Sequence, residues 1–238
     1  MQGTDPKVIV ALDFSTSEQA LTFVESVTPE ICRLKIGKEL FTSSGPDLVK
    51  QLVDRGFDVF LDLKFHDIPN TVNKAVTAAC QLGVWMLNVH AFGGRAMMLA
   101  AKEAVDSSQV VKTPKLIAVS VLTSTNQAGL HELGINKTVQ QTVLDLTSMS
   151  LECGLDGMVC SANESEMMRQ QFGSSPILVT PGIRPAGSAT DDQQRIMTPE
   201  MAMKSGSSYL VIGRPITLHA QPLDELQRIN ASLGVYRT

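Results

Sequence analysis

Short apolar runs with the composition of β-strands alternate along the whole chain with longer segments of helical periodicity. The apolar runs lie at 7–12, 32–36, 57–63, 85–89, 115–121, 156–160, 176–179 and 208–212. Apolar residues at i, i+3 and i+4 predict helices at about 17–27, 45–55, 70–82, 94–106, 138–153, 163–172, 198–204 and 221–232. Because each helix returns the chain across the sheet in a right-handed crossover, this alternation predicts parallel strands.

Eight such repeats in 238 residues predict a closed (β/α)8 TIM barrel, an α/β fold formed as a single domain over 1–238. A doubly wound open sheet is the alternative. It lacks its usual functional support, because the first strand is followed by Asp13-Phe14-Ser15 rather than by a glycine-rich dinucleotide turn. No linker or composition shift divides the chain, and 122–136 is predicted to be a loop with a short helix.

Charge and apolar patterning exclude several classes of partner. A net charge of −4 gives no overall attraction to nucleic acid or to an anionic membrane, so we expect neither partner. No apolar run approaches the roughly 20 residues of a membrane helix, and residues 1–6 lack the features of a signal peptide. The four cysteines show no paired metal spacing. We therefore expect a soluble protein of the reducing cytoplasm.

Polar and charged residues follow the predicted strands at their C-terminal ends. In barrels of this kind, the active site is built from those ends and from the loops that follow them. The residues at these positions are Asp13, Lys35, Asp62, Lys64, His90, Thr123, Ser124, Arg184 and Arg214. The strand bodies are mainly Val, Ile, Leu and Ala, so the sequence predicts a polar site at this rim.

The third strand ends in three charged groups. Asp62 and Lys64 alternate in the strand and should share a face, while Asp67 follows just beyond the strand's end. Lys35 in the second strand needs a partner because burying a lone ammonium is costly, and Asp62 on the adjacent strand is the natural one. We expect a nearly neutral network of these four groups. The alternative is an ordinary ion-pair network on a loop.

Two histidines near strand ends raise the possibility of a metal site. We expect none, because the Lys64 ammonium would lie beside the metal ion and His66 has the opposite strand parity. His66 and His90 are interpreted instead as hydrogen-bonded structural groups.

The last two strands lead into loops suited to an anion. Thr180-Pro-Gly-Ile-Arg-Pro185 and Ile212-Gly-Arg-Pro-Ile216 each combine a glycine with an arginine, at a place where many barrels hold phosphate. Gln193 could add an amide donor if the loop 182–197 closes over a ligand as a lid. The alternative is that these are ordinary turn glycines and surface arginines.

Asp13 has two interpretations. As a short acceptor ahead of Ser15 and Ser17, it could cap the first helix. As the last residue of the first strand, it could instead accept hydrogen bonds from sugar hydroxyls.

Taken in order, these motifs resemble the orotidine 5′-phosphate decarboxylase family over the whole chain. The resemblance rests on Asp62-Leu-Lys-Phe-His-Asp-Ile-Pro-Asn-Thr71, Leu12-Asp13, Leu34-Lys-Ile-Gly37, Leu122-Thr-Ser124, Thr180-Pro-Gly-Ile-Arg-Pro185, Asp191-Asp-Gln193 and Ile212-Gly-Arg-Pro-Ile216. The short Asp-x-Lys-x-x-Asp pattern alone is less specific, because sugar-phosphate decarboxylases and aldolases that usually require magnesium share it.

The resemblance implies conversion of orotidine 5′-phosphate to uridine 5′-monophosphate and CO2 in pyrimidine biosynthesis, without cofactor or metal. It implies that Lys64 is the proton donor and that Asp62, Lys35 and Asp67 complete the charged network. The implied substrate contacts are Asp13 and Lys35 to the ribose, Thr123 to the pyrimidine, and Gln193, Gly213, Arg214 and the adjacent Arg184 to the phosphate. It also implies a homodimer in which Asp67 and Thr71 enter the neighbouring subunit's site.

Two other functions compete with this one. A magnesium-dependent sugar-phosphate decarboxylase or aldolase would use the same Asp-x-Lys-x-x-Asp element. A non-catalytic barrel that binds nucleotides would use the arginine loops alone, with the acidic network serving only the fold.

Overall fold

A computed structural model of the protein describes residues 5–185 and 197–234, and it contains a closed barrel of eight parallel strands. The strands follow one another around the barrel in sequence order, with β8 pairing back onto β1. They are β1 Val8–Ala11, β2 Arg33–Gly37, β3 Val59–Phe65, β4 Met86–His90, β5 Lys115–Val119, β6 Gly157–Val159, β7 Ile177–Thr180 and β8 Tyr209–Ile212. The predicted (β/α)8 barrel is confirmed, and the open-sheet alternative is excluded.

Helices connect the strands on the outside of the barrel. They are α1 Ser17–Val24, α2 Lys38–Asp54, α3 Pro69–Cys80, α4 Gly94–Asp106, α5 Gln127–Glu132, α6 Val139–Glu152, α7 Ser165–Phe172, α8 Pro199–Lys204, α9 Arg214–Thr217 and α10 Pro222–Ser232. The short helix expected within 122–136 is α5. The four-residue helix α9 was not predicted.

The second helix begins earlier than its periodicity indicated. A helix was predicted from about residue 45, whereas α2 starts at Lys38 and is interrupted at Gly45, which has φ +68 and precedes Pro46. The Gly-Pro pair marks a break inside the element, because glycine reaches the left-handed region at little cost and proline restricts the residue before it. Leu40 in the first segment is buried, so packing stabilises a helical start that the apolar pattern alone did not reveal.

Two layers of apolar side chains fill the molecule. The barrel interior is filled by residues of the strands and by Trp85, just before β4; the strand residues are Ile9, Ala11, Phe60, Met86, Ile117, Val179 and Val211. The outward-facing residues of the same strands pack under the helices, as Val8 and Val10 do in β1. The middle of the barrel is therefore a packed core rather than a pore, and ligand space can open only at an end.

The N-terminal end of the barrel is closed by a buried arginine. The Arg33 guanidinium lies 4.2 Å from the centroid of the Trp85 ring and 4.9 Å from that of Tyr209. It also pairs with Asp58 at 3.1 Å and with Asp5 at 2.9 Å. Because these groups plug the lower end, the C-terminal end is left as the mouth of the barrel.

Within residues 5–185 and 197–234, none of the helices is long and apolar enough to cross a membrane. All four cysteines are buried and unpaired, as small packing groups rather than disulfide partners.

Candidate active site

The end of β3 carries a lysine in an unusual backbone conformation. Lys64 has φ +52, a region that residues other than glycine rarely occupy. It lies where the pairing of β3 with β4 changes register, between Leu61 and Phe65. Asp62 and Lys64 do meet, with 2.6 Å between Lys64 Nζ and Asp62 Oδ1, but through an irregular strand end rather than through simple alternation.

Asp62 lies between two ammonium groups. Lys35 Nζ lies 3.5 Å from Asp62 Oδ2, which confirms the expected pairing of neighbouring strands β2 and β3. Burial by itself would raise the pKa of the Asp62 carboxyl, but the charges of Lys35 and Lys64 and the hydrogen bonds from Lys64 and Asn88 together lower it. Asp62 is therefore an anion at neutral pH, and its own side chain is largely buried.

Asp13 faces the site and does not cap a helix. Its Oδ1 lies 3.4 Å from Lys35 Nζ, and the cap of α1 is Thr16, whose side chain accepts the backbone N–H of Gln19. The capping interpretation is thus wrong. The Asp13 side chain is 58% exposed, so its carboxylate can still accept hydrogen bonds from a ligand while it pairs with Lys35.

Two adjoining cavities open at the barrel mouth, with volumes of about 350 Å³ and 220 Å³. Both are lined by Lys35, Asp62, Lys64 and Leu122. The larger one is the more polar of the two, and its wall includes Asp13, Lys38 and Glu39. The smaller one is mostly apolar, and its wall also includes Phe60, Val119, Val121, Thr123, Val159, Cys160, Pro181 and Val211. The charged cluster thus stands at the junction of a larger, more polar cavity and a smaller, mostly apolar one.

The loop after β8 lies beside Asp13, because β8 pairs with β1. A Cβ atom placed on Gly213 would lie 3.3 Å from Asp13 Oδ2, so a larger residue there would crowd the carboxylate. Arg214 begins α9 immediately afterwards, and its side chain is exposed. The Asp13 carboxylate after β1 and the Gly213 backbone after β8 are therefore neighbours in space.

The loop after β7 is described only at its two ends. The backbone N–H of Arg184 donates to the carbonyl of Met197 at 3.1 Å, which holds the two ends together beside the barrel mouth. Most of the predicted lid 182–197, including Gln193, lies outside the described residues.

Asp67 does not join the charged cluster of its own chain. Its side chain is exposed, and its Oδ1 accepts the backbone N–H of the next residue, Ile68, at 2.6 Å. Thr71, one turn into α3, is exposed as well. The chain turns into α3 at Pro69 and carries both residues away from the cluster. The expected four-membered network is thus wrong for the single chain, which brings together Lys35, Asp62 and Lys64 only.

The two histidines near the strand ends stack on one another. The ring centroids of His66 and His90 are 5.6 Å apart, and His90 Nδ1 accepts the backbone N–H of Phe92. Burial, together with the positive charges of Lys38 and Lys64 and the proximity of His66, lowers the pKa of His90 to about 4. Within the described residues, no group of three or more His, Cys, Asp or Glu side chains could hold a metal ion.

Sequence reasoning missed three polar residues of this site. Lys38 and Glu39 line the larger cavity from the start of α2, and the late predicted start of that helix hid them. Asn88, fully buried in β4, donates to Asp62 and accepts from Lys64. An asparagine in the apolar run Met-Leu-Asn-Val-His was the available signal for the last of these.

Comparison with known proteins gives one consistent family. The family model described as "Orotidine 5'-phosphate decarboxylase / HUMPS family" matches residues 6–229. An orotidine 5′-phosphate decarboxylase of Tolumonas auensis is 56% identical over 97% of this chain and 100% of that protein. One of Salmonella typhimurium is 54% identical over 97% of this chain and 94% of that protein.

Solved structures agree with the sequence relatives. The crystal structure of orotidine 5′-phosphate decarboxylase from Lactobacillus acidophilus has a TM-score of 0.86 and 37% identity, covering 96% of this chain and 99% of that one. The same comparison finds an uncharacterized conserved protein from Geobacillus kaustophilus, with a TM-score of 0.84 and 39% identity over 95% of this chain and 99% of the other. With its barrel, its motifs and its relatives in agreement, this chain belongs to the orotidine 5′-phosphate decarboxylase / HUMPS family.

Proposed function

We propose that this protein decarboxylates orotidine 5′-phosphate to uridine 5′-monophosphate and CO2, a step of pyrimidine biosynthesis. The observation that carries the proposal is the Lys64 ammonium, held 2.6 Å from the buried Asp62 carboxylate where the polar and apolar cavities meet. The relatives named above carry the name of this decarboxylase, which favours it over an aldolase or a binding protein.

The reaction demands a fixed cation. When the bond between C6 and the carboxylate breaks, the electron pair stays on C6 in the plane of the ring, where ring resonance stabilises it poorly. An ammonium at ~4 Å contributes on the order of 4 kcal/mol at an effective dielectric constant of 20. Lys64 would first stabilise the developing carbanion and then donate its proton to C6. The neutral amine would regain a proton from water after product release.

One contact does not account for the whole rate enhancement, because enzymes typically lower barriers by ~8–23 kcal/mol. Binding energy from the distant phosphate can supplement it if that energy orients the base over Lys64. With the base in this position, the substrate carboxylate would lie near the Asp62 carboxylate, and their repulsion in the ground state would ease the loss of CO2.

The cavities suggest a pose for the substrate. The pyrimidine ring fits the smaller, apolar cavity beside Thr123, and the ribose fits the larger cavity, where Asp13 and Lys35 face its hydroxyls. The phosphate would then reach the loops after β7 and β8, where Gly213 lies beside Asp13 and Arg214 follows it. We assign Arg184 and Gln193 to the same phosphate site.

We further propose that the active form is a homodimer in which Asp67 and Thr71 complete the neighbouring subunit's site. Both residues are exposed on the single chain, and exposed apolar side chains occur at the start of α3 and on α4, which packs against it. Among these, Ile68 is 65% and Leu99 is 47% exposed. A second copy would cover these side chains and bring a carboxylate toward Lys64.

Mixing two inactive variants tests this arrangement. In a dimer of one Lys64→Ala and one Asp67→Ala chain, shared sites would leave one site with both defects and one site intact. Random mixing should then restore about a quarter of the parent activity, since half of the dimers are mixed. If Asp67 served its own chain, no activity would return.

The principal experiment follows the ultraviolet absorbance of orotidine 5′-phosphate with the purified protein in excess chelator. We expect full turnover without any divalent ion. Activity that disappears with the chelator and returns with magnesium would instead support the sugar-phosphate enzymes, and tight binding without turnover would support the binding barrel. The unpaired cysteines favour a cytoplasmic location for this activity.

A further inference from the structure

Asn88 links the two central groups of the site through one buried amide. It lies in β4, and its side chain is completely buried. Its Nδ2 donates to Asp62 Oδ1 at 2.7 Å, and its Oδ1 accepts the backbone N–H of Lys64 at 2.8 Å. Asp62 Oδ1 is also the oxygen that accepts from Lys64 Nζ. The amide, the carboxylate and the lysine therefore form a closed ring of hydrogen bonds.

Lys64 requires such support because its backbone is strained. Among the described residues it is the non-glycine residue with a positive φ. Such conformations persist only where the surroundings hold them, and they concentrate at functional sites. The register shift between Leu61 and Phe65 interrupts the regular β3–β4 pairing at this point. At this point the side-chain amide oxygen of Asn88, rather than a backbone carbonyl of β4, accepts the backbone N–H of Lys64.

We infer that Asn88 is a positioning residue for decarboxylation, which fixes the strained backbone of Lys64 and the carboxylate of Asp62 in one geometry. The inference rests on the proposed function and assigns Asn88 no contact with the substrate. A neutral amide suits this place because one of its ends donates and the other accepts. Aspartate would keep the acceptor but set a second carboxylate against Asp62, and leucine would remove both hydrogen bonds.

The test compares Asn88→Asp and Asn88→Leu with the parent protein, all in excess chelator. A misplacement of about 1 Å can cost on the order of 100-fold in rate, so we expect kcat to fall by about that factor in both variants. The affinity for uridine 5′-monophosphate, measured by calorimetry, should stay within about threefold, since Asp13, Gly213 and Arg214 lie on other strands and loops. If Asn88 served only to stabilise the fold, its replacement would lower kcat and product affinity together rather than kcat alone.

Asn230→Asp is the matched control. Asn230 is also a buried asparagine, and its Nδ2 donates to the carbonyl of Ile31 at 2.8 Å, but it lies in α10, away from the barrel mouth. This variant should lose thermal stability and keep kcat within about threefold of the parent. It therefore measures the cost of losing a buried amide outside the site.

The outcomes separate the inference from the proposed function. A parent protein without turnover would remove the proposed function itself. With an active parent, folded Asn88 variants whose kcat falls less than about tenfold would overturn the inference, as would equal losses of kcat and product affinity. If neither variant folds, hydrogen exchange of the unaltered protein decides: the Lys64 amide should exchange slowly, and exchange as fast as that of the exposed Asp67 would overturn it.

Discussion

Replacing Asp62 with asparagine removes the negative charge that separates two ammonium groups. The carboxylate oxygens lie 2.6 Å from Lys64 Nζ and 3.5 Å from Lys35 Nζ. At an effective dielectric constant of 20, these distances correspond to attractions of about 6 and about 5 kcal/mol. Desolvation of the three groups offsets much of this attraction, and removing one partner of a buried ion pair typically costs about 3–5 kcal/mol.

We therefore expect Asp62→Asn to lower the free energy of unfolding by about 3–5 kcal/mol and the Tm by roughly 6–20 °C. Urea denaturation at pH 7 and a fixed protein concentration measures this, with the fluorescence of Trp85 and circular dichroism as probes. Asp106→Asn is the control, because Asp106 pairs with Lys102 on the exposed face of α4. That pair should contribute only about 0.3–0.5 kcal/mol.

The reasoning about the charged cluster would be refuted by a small effect. If Asp62→Asn lost less than about 1 kcal/mol more than Asp106→Asn, Asp62 would not be balancing two buried cations. A gain in stability would contradict the account more strongly, because it would mean that desolvation of the Asp62 carboxylate costs more than its attraction to Lys35 and Lys64 returns.

Three further predictions concern the phosphate loop and pH. Arg214→Ala should lower kcat as well as raise KM, because phosphate binding orients the base; an unchanged kcat in steady-state assays would contradict this. Gly213→Ala should weaken product binding in calorimetry, since the Cβ of the alanine would lie 3.3 Å from Asp13 Oδ2. Unaltered affinity would contradict this, because it would mean that the loop after β8 can move without affecting the site. Acid should destabilise the fold in two stages in urea denaturation at successive pH values. Below about pH 6.5, His90 becomes protonated in the unfolded chain but stays neutral in the folded protein, because folding lowers its pKa to about 4. The free energy of unfolding therefore falls as the pH falls from about 6.5 to about 4. Below about pH 4 the stability due to the lowered pKa of Asp62 is lost in turn. A His90→Gln variant should lack the first stage, and its persistence would place the responsible group elsewhere.

The barrel could be predicted from sequence because its signal is repeated eight times. Each apolar run needs a helix to return the chain, and errors of a few residues at the ends do not alter the topology. The start of α2 at Lys38 was missed for a local reason. Gly45 and Pro46 interrupt the apolar period, and only packing of Leu40 shows that the helix begins before them.

The site was predictable where it depends on strand order and less so where it depends on local backbone geometry. Strand order alone places Lys35 beside Asp62. The positive φ of Lys64 and its support by Asn88 arise from a register shift that alternation cannot reveal. Asp67 does not join the cluster of its own chain, because its exposed side chain accepts the N–H of Ile68 where the chain turns into α3; its predicted place in the neighbouring subunit's site stays a prediction.

Turnover by a Lys64→Ala variant is the measurement that bears most directly on the proposed chemistry. It should be made in excess chelator, together with calorimetry of uridine 5′-monophosphate binding to show that the pocket survives. We predict that the variant binds the product but loses at least about 1,000-fold in kcat, since both the positioned charge and the proton donor are gone. A variant that binds the product and keeps kcat within about tenfold of the parent would contradict the assignment of Lys64 as the group that stabilises and protonates C6.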